Sequence, residues 1–374
     1  MFEREGLVAD IDPGASCMAA HAAGWAKYPK MPLETAGKGS DGPLCGTWIV
    51  TEKVHGANFS VVCEETRGVT TVSFAKRSGI LADSEDFFSF RSSRLQVRLE
   101  QSARALLHVA RRNLPEITSV VVYGELAGGR YPHSDVPAAG LHPVQNGVWY
   151  APQLFFMAFD LVLCTAATDR RFADFDEASA WCTEAGFLFA APLMRGSLSA
   201  CLDAPVRFKS TLAARLGLPP LSTANLAEGV VVRPAREPRS STARSLFKRK
   251  IAEFSETQYQ NEDWRTGAAG GLGEARGALS QMELLRIEMA ARVTAQRMDN
   301  AISKLGHIDP TQREARRTLL QELKTDVVAS LVEDGVTPSA HAFANSGLNQ
   351  ELDAAARELL TPYLRKQVAA RAAG

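Results

Sequence analysis

The sequence predicts an α+β protein with its strands first and its helices last, on three observations. Short β-rich runs recur between about residue 46 and residue 255, among them Trp48-Ile49-Val50, Val120-Val121-Val122, Leu154 to Leu163 and Val230-Val231-Val232. A glycine-rich segment, Gly267-Ala268-Ala269-Gly270-Gly271-Leu272-Gly273, then has the composition of a linker. Beyond it the composition shifts to Ala, Arg, Glu and Leu, with apolar residues at helical spacing. At 374 residues the chain exceeds the size at which a single core stops growing, so two domains are expected. Their expected limits are 1-262 and 275-374, with the linker at 263-274.

Residues 1 to 45 are punctuated by Gly, Ala and Pro and signal no element. The strand at Trp48-Ile49-Val50 runs into Glu52-Lys53-Val54-His55-Gly56-Ala57-Asn58-Phe59, which sets a lysine three residues before a glycine at a strand-to-turn junction. The glycine is expected to allow a sharp turn and close approach to a ligand. Alone this spacing occurs often by chance; its weight comes from the motifs downstream. Ala75-Lys76-Arg77-Ser78-Gly79 closes an alternating strand, and the longest helix of the first domain falls within Asp86 to Asn113. Val120 to Leu126 is a strand ending in a carboxylate, Glu125. Leu154 to Leu163 is a buried strand carrying Asp160, and Glu228 to Pro234 is a short strand that opens on a carboxylate. Lys248 and Lys250 share a face if their segment is extended. In the last hundred residues, Met282, Leu285, Met289 and Val293 form one helical face. Thr361-Pro362 reads as the N-cap and first turn of the final helix.

Hydrophobic content of 45% and charged content of 22% are ordinary for a soluble globular protein. The formal net charge is zero, which argues against binding a polyanion through whole-chain charge. The local distribution differs: from Arg233 to Lys250 there are seven basic residues against one acid, Glu237. That run reads either as a solvated loop or as an anion-binding segment. Six scattered cysteines form no C-x-x-C pair or zinc spacing, and several lie in apolar runs as buried free thiols do. With no signal pattern and no apolar run of membrane-spanning length, a soluble protein of the reducing cytoplasm, with no membrane partner, is expected.

A lysine, three carboxylates on β-elements and a pair of lysines, in this order, resemble the covalent nucleotidyltransferase superfamily of ligases and capping enzymes. The wording EKVHGANF, AKRSGIL…EDFF, GELAGG, AFD, AEGVVVRP and KRKIAEFSE is similar to one branch, the RNA ligase 2 family of phage double-strand RNA ligases and RNA-editing ligases. So is Asp299 to Gly306, and the resemblance spans essentially the whole chain. No run of alternating strands that could form an OB barrel is visible after Trp264, which fits this branch and not DNA ligases or capping enzymes.

The resemblance implies an antiparallel-sheet nucleotidyltransferase domain of the ligase adenylation (ATP-grasp-like) type, followed by a small all-α domain that engages RNA. It implies ATP-dependent joining of RNA 3′-OH and 5′-phosphate ends, preferably nicks in duplex RNA, by a monomer using Mg²⁺ or Mn²⁺. Lys53 would attack the α-phosphate of ATP, AMP would pass to the RNA 5′-phosphate, and a 3′-hydroxyl would displace it. Because a lysine with the reference pKa near ~10.4 is a poor nucleophile at neutral pH, Lys248 and Lys250 would favour the neutral amine and offset charge on the α-phosphate. Glu228 would organise the metal. Glu52 would border the nucleotide, Glu125 would hold the ribose, and Arg77 would contact nucleotide and RNA phosphate. Phe159 would stack on adenine, although an aromatic in so apolar a strand is equally at home in a core. His55 would serve transfer of the adenylate. Asn58 and Phe87-Phe88 would help sense the nick and its 3′-hydroxyl strand, and the bland reading of that Phe pair is a hydrophobic helix start.

Three departures from the family pattern stand out. Ala57 replaces a hydroxyl residue, Arg233 replaces a lysine, and the segment from Gly128 to Gln153 is longer than in the phage enzyme. The competing readings are a DNA ligase or GTP-using capping enzyme, and a non-catalytic nucleotide- or RNA-binding relative. The second would be expected to have lost some of Lys53, Glu125, Glu228, Lys248 and Lys250, and all five are present.

Overall fold

The longer strands of the first half set their side chains alternately on two faces, so that one face can pack on helices while the other carries polar groups. A computed structural model describes residues 25-31, 46-165, 169-238, 244-254, 281-306, 308-309 and 311-372, with side chains to residue 365. The strands are β1 (Trp48–Glu52), β2 (Ala57–Thr66), β3 (Val69–Lys76), β4 (Gly79–Ile80), β5 (Ser119–Arg130), β6 (Ala151–Cys164), β7 (Arg170–Phe172), β8 (Leu188–Phe189), β9 (Pro192–Gly196), β10 (Gly229–Pro234) and β11 (Phe247–Lys250). A seven-stranded sheet runs β4-β3-β2-β5-β6-β7, with β8 added to β6, and a four-stranded sheet runs β11-β10-β1-β9. The strand pairs are antiparallel except β6 with β8.

Ala57, Phe59, Val61 and Cys63 of β2 and Val120, Val122 and Leu126 of β5 face one way. There they meet α1 (Leu95–Asn113), which buries Leu95, Leu99, Ala103, Leu106, Leu107 and Ala110 on one stripe. Each such leucine contributes about 1.5–3 kcal/mol of transfer free energy. The opposite face carries Asn58, Val62, Val121, Tyr123 and Glu125, and it is this face that bears the site. Part of it is covered by a strap of residues 25-31: Tyr28 is buried, Trp25 Nε1 donates to Ser60 Oγ at 2.9 Å, and the Tyr123 hydroxyl donates to the Ala26 carbonyl at 2.6 Å.

One interruption of the alternation matters for function. In the β5–β6 register Tyr123 pairs with Asp160 and Gly124 with Ala158, which leaves Phe159 as a bulged residue. Phe156 and Ala158 therefore pack into the helix-covered core while Phe159 and Asp160 both turn to the site face.

Three shorter helices, α2 (Phe175–Glu184), α3 (Leu198–Leu202) and α4 (Leu212–Arg215), complete the first half. Beyond residue 280 the described residues are helical: α5 (Gln281–Arg292), α6 (Ala295–Leu305), α7 (Arg313–Glu333), α8 (Ala340–Asn345) and α9 (Asn349–Ala372). The helical unit is continuous with the α1 core, since Met289, Met298, Ile302, Leu319, Leu323 and Val327 belong to the same buried cluster as Phe59 and Leu99. Of the expected helical face, Leu285, Met289 and Val293 point inward, while Met282, at the helix start, is exposed. The glycine-rich linker lies outside the described residues, as do Cys17 and Cys45; Cys63, Cys164, Cys182 and Cys201 are free and buried. Among the described residues no helix is long and apolar enough to cross a membrane.

The helix expected within Asp86 to Asn113 is α1, which starts at Leu95 because Phe88, Ser89 and Arg94 take positive φ values of 50°, 65° and 64° that no α-helix accommodates. One expectation about helix ends is corrected. Thr361-Pro362 does not start the last helix but lies inside α9. Pro362 has no N–H to offer the preceding turn, and Thr361 Oγ1 donates to the Arg357 carbonyl at 3.0 Å.

Candidate active site

The two sheets meet where β1, β10 and β11 end beside the polar face of β2 and β5. β1 pairs with β10, and the Lys53 N–H donates to the Gly229 carbonyl at 2.9 Å, so Lys53 and Glu228 leave adjacent strand ends. Lys250 is the register partner of Gly229 and Lys248 that of Val231, which puts both lysines on one face of β11. Gly229 makes that approach possible. At φ +149° its added Cβ would stand 2.0 Å from the Arg249 carbonyl oxygen. Gly56 is required for a related reason. A Cβ there would stand 2.3 Å from the Leu126 carbonyl oxygen, so this glycine lets the turn after Lys53 press onto the backbone of β5.

The result is a carboxylate ringed by nitrogen. Lys53 Nζ donates to Glu228 Oε2 at 2.6 Å, Lys250 Nζ lies 2.9 Å from Oε1, and His55 Nδ1 lies 3.4 Å from Oε2. Glu228 is 1% exposed, and burial alone would raise its pKa; Lys250, Lys53 and His55 outweigh that and hold it well below the usual carboxylate range. Glu125 behaves in the opposite way. Its burial, reinforced by Glu228, pushes it up to about 7 against the pull of Lys53 and Arg77. Asn58 is the cross-strand partner of Glu125 and shares its face.

The structure thus gathers Lys53, His55, Asn58, Arg77, Glu125, Glu228, Lys248 and Lys250 around one junction. Phe159 borders the adjoining cleft with Lys53, Val54, Glu125, Phe175 and Tyr28. That cleft measures about 50 Å³, and Tyr28 and Met31 of the strap and Leu246 also line it.

Three expected assignments change. Glu52 borders the cleft, but its carboxylate accepts from Ser210 Oγ at 2.6 Å, Thr211 Oγ1 at 2.7 Å and Thr211 N–H at 2.8 Å. It therefore ties the start of α4 to β1 and does not present its oxygens to a ligand. Glu228 is not an open metal ligand, since its oxygens face three nitrogens. Among the described residues, moreover, no group of three or more His, Cys, Asp or Glu could hold a metal. A hard cation would fit here through phosphate oxygens of a bound nucleotide and water, as Mg²⁺ commonly does. Phe87 and Phe88 are 2% and 5% exposed and form part of the continuous core, with the Phe87 ring 6.2 Å from that of Phe59. In this arrangement Phe87 is covered and cannot touch RNA.

The basic run is not a solvated loop. Arg233 is buried and Arg244 largely so, and both bond Asp160, at 3.0 and 2.7 Å. Both also bond Glu237, at 2.7 and 2.5 Å, and the Tyr28 hydroxyl donates to Asp160 at 2.6 Å. Burial would raise the Asp160 carboxyl, but Arg233 and Arg244 hold it below its usual value. Arg233 also donates to the Phe159 carbonyl at 3.0 Å, so this cluster sets the position of the bulged phenylalanine. Residue 239 of the run lies outside the described residues.

The supports of His55 were not among the residues the sequence singles out. Its N–H donates to the Tyr150 hydroxyl at 3.0 Å, and its ring meets Phe254 edge-on at 5.0 Å. Tyr150 comes from the segment notable in the sequence only for its length, which is anchored by Asn225 bonding both the N–H and the carbonyl of Trp149. Phe254 falls within the KRKIAEF wording, the one signal that could have pointed to it.

Comparison with known proteins identifies the family. The profile of the RNA ligase family matches residues 46–250, and that of the T4 RNA ligase 2 C-terminal domain matches residues 277–367. Mitochondrial RNA-editing ligase 1 of Trypanosoma brucei brucei is 29% identical over 338 residues, covering 77% of this chain and 69% of that protein. Mitochondrial RNA-editing ligase 2 of the same organism is 30% identical over 328 residues, covering 77% and 75%. The solved Naegleria gruberi RNA ligase with pyrophosphate is 12% identical, covers 56% of this chain and 50% of its own, and superposes with a TM-score of 0.35, too low to carry an argument. On the two profiles and the editing-ligase relatives, the chain belongs to the RNA ligase family, in the branch that carries the T4 RNA ligase 2 type of C-terminal domain.

Proposed function

We propose that this RNA ligase uses ATP to join RNA 3′-OH and 5′-phosphate ends, preferably at nicks in duplex RNA, through a covalent lysyl-AMP on Lys53. The observation that carries the reading is the single carboxylate of Glu228 holding Lys53, Lys250 and His55 together, with Lys53 lining a cleft also bordered by Glu125 and Phe159. A structural lysine would not need a second lysine and a histidine on its counter-ion, nor the buried aromatic cleft beside it.

In the first step Lys53 Nζ forms a bond to the α-phosphorus of ATP while the bond from that phosphorus to the bridging oxygen breaks and pyrophosphate leaves. Glu228 keeps the amine aimed, and Lys250 and Lys248 offset charge growing on the α-phosphate. In the second step an oxygen of the RNA 5′-phosphate attacks the same phosphorus and the nitrogen–phosphorus bond breaks, with His55 beside the transferring group. In the third step the 3′-oxygen attacks the activated 5′-phosphorus and AMP departs. Glu125 accepts from the ribose, Phe159 packs on adenine, and Arg77 meets phosphate. A divalent cation, Mg²⁺ or Mn²⁺, supplies further charge neutralisation when bound. The helical unit, residues 275-374, takes part in RNA engagement.

The test is incubation with α-labelled ATP or GTP and Mg²⁺, followed by a denaturing gel. Label retained from ATP, absent from Lys53→Ala and discharged by nicked RNA is the expected result. Absence of label, with no ATP formed on adding pyrophosphate and no adenylate passed to 5′-phosphorylated RNA, would leave a non-catalytic relative.

A further inference from the structure

A second cavity, of about 480 Å³, lies between the helical unit and the catalytic sheet. It is nearly ten times the volume of the cleft beside Lys53 and falls within the usual ~300–1,000 Å³ of small-molecule sites. We propose that it receives the terminal nucleotide of the 5′-phosphorylated RNA strand, with the base turned out of its pair. This inference rests on the ligase reading and deepens it.

The cavity opens on catalytic chemistry through one side chain. His55 lines it and is also the residue whose Nδ1 faces Glu228, the partner of Lys53. Its Nε2 is buried and has no hydrogen-bond partner among the described residues, an unsatisfied polar atom in a histidine only 7% exposed. The remaining lining is two-sided. Phe88, Met298 and Tyr363 supply aromatic and apolar surface, which a nucleobase recognises through its faces. Arg130 and Asn300 supply polar groups for its edges and its phosphate. The formal charges of Arg130 and Asp299 in the lining balance, so the choice between the two ends of a break falls to position: His55 lies beside the group that passes to the 5′-phosphate, and the nucleotide carrying that phosphate is the one brought to this cavity.

Phe88 adds an independent observation. It sits at φ 50° and ψ 32°, a left-handed conformation that bulky residues avoid, and it does so at the rim of this cavity. The cavity exists only while α6 and α9 rest on the sheet, because Met298 and Asn300 come from the former and Tyr363 from the latter. It therefore assigns the helical unit a concrete task, to complete a pocket for one nucleotide beside the adenylate.

The experiment is single-turnover transfer of AMP from adenylylated enzyme to nicked duplex RNA whose 5′-terminal nucleotide is matched, mismatched or abasic. The wild type is expected to transfer to the abasic 5′ end at least about tenfold more slowly than to a base-bearing one, as loss of one stacked base implies. A mismatched 5′ end should react at least as fast as a matched one, and an abasic 3′-terminal nucleotide should have little effect. Asn300→Trp, which fills the cavity, should slow transfer to base-bearing ends and erase the distinction. Equal wild-type rates on abasic and base-bearing 5′ ends would overturn the proposal, even if the variant did not fold. Self-adenylylation, which needs no RNA, reports separately on the Lys53 reading: its absence from wild type first treated with pyrophosphate to discharge any bound adenylate would sink that reading, whereas normal self-adenylylation with base-indifferent transfer sinks only the pocket.

Discussion

Lys53 Nζ lies 2.6 Å from Glu228 Oε2 although the two residues are 175 positions apart, and the contact depends on β1 and β10 ending side by side. Glu228 is the counter-charge that Lys53 shares with Lys250 and His55. Glu228→Gln keeps the shape but strips the negative charge, leaving three basic groups facing an amide. We expect self-adenylylation to fall at least about a hundredfold and stability at neutral pH to drop by about 3 kcal/mol, the low end of the range for breaking a buried ion pair. Because Glu228 titrates well below its ordinary value of 4.5, its stabilisation is present above that value and fades as pH falls through the folded pKa. Denaturant curves should therefore show the wild type and Glu228→Gln converging in acid. A gap that stayed constant from neutral pH into strong acid would contradict this account.

Glu125 has the opposite linkage. Its folded-state carboxyl is pushed up to about 7, so the unfolded chain ionises it first. The favourable contribution of the protonated folded form is complete below pH 4.5 and is lost as pH rises through 7. Glu125→Gln mimics the protonated form permanently. In the nucleotide-free protein, the melting temperature of the variant relative to wild type should climb between pH 4.5 and 7 and then level off. An unvarying difference across that window would place the titration elsewhere.

Arg233 is expected to be irreplaceable by lysine in spite of the equal charge. One guanidinium nitrogen donates to the Phe159 carbonyl at 3.0 Å, and another reaches Asp160 at 3.0 Å and Glu237 at 2.7 Å. A single ammonium cannot hold all three acceptors in this planar arrangement. Arg233→Lys should cost about 1–3 kcal/mol of stability through buried acceptors left unpaired. It should also raise the KM for ATP in self-adenylylation, because the bulged Phe159 loses its anchor. Unaltered KM and stability together would show that the network plays no part in shaping the cleft.

Much of this architecture is legible in the sequence alone. The strands around Trp48, Val121 and Val231 announce themselves by β-branched runs, and the helical part by its 3.6-residue period. The gathering of Lys53, Glu125, Glu228 and Lys250 matches the order of motifs along the chain. The illegible parts depend on geometry that composition does not carry. The bulge at Phe159 inserts one residue into a strand whose apolar pattern is unbroken, and Tyr28 and Tyr150 reach the site from segments without periodicity. Phe87 reads as one half of a nick-sensing pair because nothing local reports that Gly306, from the far end of the chain, rests on its ring. Pro362 reads as a helix start since its lost hydrogen bond is tolerated only where tertiary packing carries α9 through it.

The glycine that meets Phe87 offers the sharpest test of how the two halves are joined. Gly306 caps α6 at φ +93°, and a Cβ added there would stand 3.0 Å from Cδ2 of the Phe87 ring. Gly306→Val would combine an unfavourable backbone conformation with a collision against a buried aromatic, and each effect alone costs on the order of 1–3 kcal/mol. The clash falls on the seam between the helical unit and the sheet, so it should loosen their contact before it unfolds either. Wild type, whose buried cluster runs unbroken from Phe59 to Val327, should melt in one transition. The variant should melt in two, with the helical unit leaving first, and should lose RNA sealing more than self-adenylylation because the cavity lined by Phe88, Met298 and Tyr363 opens. A single transition at the wild-type midpoint, with sealing intact, would mean that the seam absorbs a valine and that Phe87 is not what couples the halves.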